Sequence, residues 1–187
     1  MIGCSGSGEK TAKTLPLPFY NLQPTLYKLK RHFTATAFVV DSRKRVLLLW
    51  HHRLKRWMPP GGHVEPDETP EETARRECLE ETGLSVEIAG DPSPDLFGRN
   101  PSEGRMLKKP IALLMENIPA CPERGEDPHQ HMDFLYRARP LDETQKTVLA
   151  ELEGRELRWF TRAELAALDE QTEIFANVKE YALLLTK

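Results

Sequence analysis

ARRECLEETGL, residues 74–84, is the stretch that decides the fold. Glu77, Glu80 and Glu81 stand at i, i+3 and i+4, so on a helix all three project from one side within reach of one another. Like charges at that spacing cost roughly 0.2–0.5 kcal/mol a pair. A helix selected only for its own stability has no use for them, and a positive species is expected at their centre.

The surroundings sharpen that expectation. Upstream, Thr69 offers an N-cap, Pro70 suits the first helical position, and Glu71 and Glu72 favour the positive end of the helix. Gly83 stops it. From Glu65 to Glu87 there are nine acidic residues against two arginines, whereas RHF, SRKRV and HHRLKRW before this segment and GRMLKK after it are basic. Acid is bracketed by base.

The chain has 187 residues, 39% of them hydrophobic, which is enough for one domain with a proper core. A net charge of −3 argues against a nucleic-acid or anionic-membrane partner. Cys4, Cys78 and Cys121 lack metal-ligand spacing and cannot all pair, so a reduced, cytoplasmic setting is expected. No apolar run approaches the roughly 20 residues of a membrane span. Residues 1–24 are rich in Gly, Ser, Lys and Pro and read as a loose arm before a single domain over 25–187. Within the arm, GCSGSGEKT nearly spells a phosphate-binding loop, but Glu9 intrudes before Lys10 and no strand precedes it.

Phe33–Val40 and Arg45–Trp50 read as two strands joined by a turn at DSRK, that is, a hairpin. WMPPGGHVEPDE reads as a loop. LSVEI, KKPIALLMEN, HMDFLYRAR and RELRWF supply further strands, with long loops over 89–106 and 119–129. Thr161 caps a short helix, RAELAAL, and Ile174–Leu185 has helical apolar spacing. Strands and helices are mixed without repeats, giving a layered α/β or α+β sandwich.

Extended leftward, the opening stretch becomes GGHVEPDETPEETARRECLEETGL. Gly62, Glu68, Arg76, Glu77, apolar Cys78, Glu80, Glu81, Gly83 and aliphatic Leu84 occupy every fixed position of the Nudix box, cysteine at an aliphatic position being the mildest departure. The chain resembles a Nudix hydrolase, most strongly over this box and more loosely over residues 31–187. The resemblance implies an α/β/α sandwich around a mixed sheet. It also implies an enzyme that cleaves a phosphoanhydride bond of a nucleoside di- or triphosphate derivative with a divalent metal. The chemistry agrees: a pyrophosphate repels the attacking water, and Mg²⁺, for which Mn²⁺ can substitute, takes carboxylate ligands and answers both problems.

By the same resemblance, Glu80 and Glu81 are the main metal ligands and Glu77 is a further ligand or the base that orients water. The carbonyl of Gly61 completes the site. Gly62, Glu68, Arg76 and Gly83 are structural, with Glu68 bonded to Arg76. Glu153 is the candidate for a further ligand or general base among Glu151, Glu153 and Glu156. Arg53, Arg99, Arg105, Lys108 and Lys109 are candidates for gathering substrate phosphate. His129, His131 and Asp133 share one face of their strand, as a metal pair, a substrate contact or simply a partly exposed edge. Cys78 is read as core rather than nucleophile. The expected partner is a small nucleotide, and a homodimer is left open. The alternative is a silent Nudix-type module that binds or senses a nucleotide. Three retained, mutually repelling glutamates speak against it.

Overall fold

Residues 29–90 and 102–187 are described by a computed structural model; the arm, with its phosphate-loop-like stretch and Cys4, and Arg99 lie outside them. The first strand, β1 (Lys30–Val39), runs parallel to the long strand β7 (His129–Pro140) over their whole shared length, from Lys30 opposite His129 to Val39 opposite Ala138. The far edge of β7 is shared. β6 (Ala112–Ile118) pairs antiparallel with its first half and β5 (Val86–Ala89) with its second. On the free edge of β1 lies β4 (Gly61–His63), antiparallel. A separate antiparallel sheet has β2 (Val46–His51) between β3 (Arg56–Met58) and β8 (Gly154–Phe160).

This arrangement corrects the expected hairpin. The turn after β1 forms as expected, with Arg45 N–H and Nε both donating to the buried Asp41 carboxylate at 2.8 Å. Only Val40 and Val46 then bridge before the strands part. Both edges of β1 are taken, by β7 and β4, so β2 pairs with β8 and β3 instead. It also accounts for the unbroken run Val46–Leu49. Leu47 faces one core and Val46 and Leu48 the other, so neither face of the strand meets water.

The expected loop over residues 57–68 is corrected as well, since it holds the end of β3 and all of β4. Proline and glycine hid them. Pro60 still serves the sheet through its carbonyl, which accepts from Ala37 N–H at 2.9 Å. Gly61 is required because β4 crosses β1 so closely that a Cβ there would stand 2.7 Å from the Ala35 carbonyl oxygen.

The box helix, α1 (Pro70–Thr82), lies on one face of the mixed sheet. Ala35 and Ala37 of β1 meet Ala74 and Cys78 of α1, all fully buried. Small side chains on both partners let helix and strand approach closely. On the opposite side α2 (Arg162–Ala167) and α3 (Ala176–Leu185) close a second core built on Phe38, Leu48, Trp57, Phe160, Leu165 and Ile174. Fully burying each of these large apolar side chains contributes about 1.5–3 kcal/mol. The result is the α/β class expected: a mixed sheet with helices on both sides. No helix among the described residues is long and apolar enough to cross a membrane.

Candidate active site

The site is built on α1, whose two ends are fixed by the residues marked in the sequence. Glu72 accepts from the Thr69 N–H at 2.8 Å and the Thr69 hydroxyl at 2.7 Å. Glu71, 5% exposed, accepts from Arg105 at 2.9 Å and from the Lys108 backbone N–H at 2.7 Å. At the far end Gly83 takes the left-handed conformation, φ 66°, and donates to Leu79 O at 2.8 Å.

Arg76 organises the middle of the helix. Its Nε and one terminal nitrogen grip Glu68 at 2.7 and 3.0 Å. The other terminal nitrogen donates to Glu77 at 2.8 Å and Glu80 at 2.9 Å, and a 3.2 Å bond reaches the carbonyl of His63. One guanidinium therefore ties the loop carboxylate Glu68, two helix carboxylates and strand β4 into one network. The Glu68 carboxyl is held below its ordinary range, first by its hydrogen bond from Arg76.

Glu81 differs from its neighbours. It is 7% exposed and accepts from the Gly61 N–H at 3.1 Å. Burial pushes its carboxyl up to about 8; the Gly61 bond opposes the rise, and the charges of Glu77, Glu153 and Glu80 add to it. Burial likewise raises Glu77, with Arg76 opposing. Gly62 explains the tightness, because a Cβ there would overlap the Glu77 carboxylate. Glu80 is exposed and held by Arg76 alone among the described contacts.

The structure thus brings Glu77, Glu80, Glu81, Gly61 and Glu153 into one electrostatic neighbourhood. Gly61 enters it through its N–H. Arg105 sits elsewhere, clamping its loop onto the start of α1 through Glu71 and Glu72, and Lys108 shares that clamp through its backbone. Arg53 reaches Glu126 at 3.7 Å. Cys78 is fully buried, with its thiol pushed up to about 12, as suits a core residue.

A second polar group lies on the sheet face opposite α1. His131 and Asp133 of β7 stand opposite His32 and Thr34 of β1, and Thr36 donates to Asp133 at 2.9 Å. Burial raises Asp133 and, on β6, Glu116. The sequence singled out His129, His131 and Asp133 but missed His32, His63 and Glu116. Only the parallel register of β1 on β7, and the presence of β4, could have joined them.

Comparison with known proteins agrees with this architecture. Residues 30–181 match the family described as NUDIX domain. A protein of Lactococcus lactis subsp. cremoris named "Probable DHNTP pyrophosphohydrolase" is 32% identical over 150 residues, 77% of this chain and 75% of that protein. A protein of Bacillus subtilis provisionally named 8-oxo-dGTP diphosphatase is 39% identical over 59 residues, 30% of this chain and 40% of its own length. Among solved structures, a NUDIX-family hydrolase from Clostridium perfringens superposes with a TM-score of 0.69 at 30% identity, covering 84% of this chain and 97% of that one. Family match, relatives and fold agree: this chain belongs to the Nudix family and is a Nudix-type hydrolase.

Proposed function

We propose that the chain hydrolyses a phosphoanhydride bond of a nucleoside di- or triphosphate derivative, with Mg²⁺ as cofactor and Mn²⁺ able to replace it. The observation that carries this reading is Glu81: a buried carboxyl beside Glu77, Glu80 and Glu153, pushed up to about 8, is a costly arrangement that a hard dication relieves. Its donors are carboxylate oxygens, the set that suits Mg²⁺ and Mn²⁺. When bound, the metal would neutralise phosphate charge and make a water acidic enough to attack at neutral pH.

Each box residue then has a task. Glu80 and Glu81 hold the ion, with Gly61 fixing the orientation of Glu81 through its N–H. Burial keeps Glu77 above the ordinary carboxylate range, nearer the point at which a group accepts a proton efficiently around neutrality, so Glu77 is assigned to the attacking water. Glu153 adds negative charge to the same neighbourhood and is the reserve base. Arg76 positions rather than reacts, since Glu68 takes two of its nitrogens.

The names of two relatives specify triphosphates, and cutting a triphosphate between its first and second phosphorus releases a monophosphate and pyrophosphate. The test is a panel of nucleoside triphosphates, nucleotide sugars and dinucleoside polyphosphates, with Mg²⁺, with Mn²⁺ and after chelation, products identified by mass. At least one compound is expected to yield a monophosphate only when metal is present. Undiminished turnover after exhaustive chelation would overturn the proposal.

A further inference from the structure

His32, His63, His129 and His131 come from three strands, β1, β4 and β7, and gather at one end of the mixed sheet, with ring centroids 4.9–5.9 Å apart for each adjacent pair. His32, His129 and His131 can each offer a ring nitrogen such that all three atoms lie within 4.8 Å of one another. We propose that these three imidazoles form a binding site for a first-row transition-metal ion such as Zn²⁺ or Co²⁺, separate from the carboxylates of α1.

Three observations point to a ligand. First, His129 Nδ1 faces the Asp127 carbonyl at 2.9 Å. A carbonyl only accepts, so Nδ1 carries the proton and the lone pair of the neutral ring lies on Nε2, the arrangement that orients metal-bound histidines. Second, that Nε2 stands 3.2 Å from His131 Nε2. Two nitrogens bound at 2.0–2.1 Å to a tetrahedral ion are about 3.3 Å apart, so this pair already has the separation required. Third, His32 Nδ1 is buried with no hydrogen-bond partner among the described residues. An ion bound through that nitrogen would relieve the penalty, and a His32 ring nitrogen already within 4.8 Å of the other two donors needs only a small shift to reach about 3.3 Å.

Donor chemistry separates the two sites. Neutral imidazole suits Zn²⁺, Co²⁺, Ni²⁺ and Cu²⁺, whereas Mg²⁺ takes oxygen. The His63 ring lies beside the three, its centroid 5.2 Å from His32 and 4.9 Å from His131, and its backbone connects the two centres: its carbonyl accepts from Arg76, and it follows Gly62, which packs on Glu77. The positive charge of Arg53 is felt at His131, and Glu126, 3.7 Å from Arg53, offsets it.

The test uses the full chain without a histidine tag, titrated with Co²⁺ in saturating Mg²⁺ and followed by calorimetry and visible absorption. One equivalent is expected to bind, with the intense bands of a nitrogen-ligated, four-coordinate ion. His32→Asn and His131→Asn should each weaken binding at least about tenfold, and Glu80→Gln should leave it unchanged. The wild-type spectrum decides without any variant, since the weak bands of an all-oxygen octahedral ion would overturn the proposal. So would displacement of Co²⁺ by Mg²⁺, or loss of binding in Glu80→Gln with retention in His131→Asn. The two sites fail independently: a hydrolase that takes up no Co²⁺ beyond its Mg²⁺ site refutes this inference alone.

Discussion

Replacing Glu81 by Gln removes the charge of the most deeply buried box carboxylate while keeping an oxygen for the Gly61 N–H. The folded carboxyl titrates at about 8 against a reference of 4.5. Between those values the folded metal-free protein holds a proton that the unfolded chain has released, so its stability is fully present below about pH 4.5 and falls as pH rises toward 8. At pH 7.5 the cost of that proton uptake reaches about 4 kcal/mol at 1.36 kcal/mol per unit; relaxation of the surrounding side chains brings the expected range to about 2–4 kcal/mol. The neutral amide of the variant bears none of it. Urea unfolding in chelator should therefore find the variant and wild type nearly equal at about pH 5, with the variant more stable by about 2–4 kcal/mol near pH 8. Adding Mg²⁺ at pH 8 should narrow or reverse the gap, because wild type gains a ligand-bound state that the variant loses. A difference that stays flat with pH, or a variant less stable throughout, would mean that Glu81 does not carry a buried proton in the metal-free fold.

Three further substitutions separate ligands from braces. Gly62→Ala pushes a methyl group into the Glu77 carboxylate, the movable end of a side chain, so turnover should fall more than about tenfold while the melting temperature drops only modestly. Arg76→Ala unties Glu68 from Glu77, Glu80 and the His63 carbonyl, and denaturation should record a loss of about 1–3 kcal/mol together with lost turnover. Arg105→Ala strips a partner from the buried Glu71, so thermal melts should detect destabilisation while KM stays unchanged; a raised KM at unchanged stability would return Arg105 to the substrate.

What the sequence disclosed and what it hid follow from range. The box helix was legible from end to end, because its cap at Thr69, its stop at Gly83 and the spacing of Glu77, Glu80 and Glu81 are local features. The pairing of β1 with β7 was not, since Lys30 and its partner His129 are ninety-nine positions apart and no local pattern fixes a parallel register. Both the mistaken hairpin and the scattered histidines come from that one blind spot. Strand β4 was missed for another reason. Its glycines lack strand propensity and are present because Ala35 and Glu77 crowd them, which is a fact of packing. Arg105 and Lys108 carried charge that suited phosphate, yet the buried Glu71 claims one side chain and the other's backbone.

The proposed hydrolysis depends on a metal held by the carboxylates of α1. Turnover of a nucleotide substrate under saturating Mg²⁺, measured for wild type and Glu80→Gln, tests it most directly. Glu80 is exposed and its other described contact is Arg76, so the variant should fold as wild type does. Turnover is then expected to fall by about a hundredfold or more, the cost of losing one hard anionic ligand. A folded Glu80→Gln protein that turns over at the wild-type rate would contradict it.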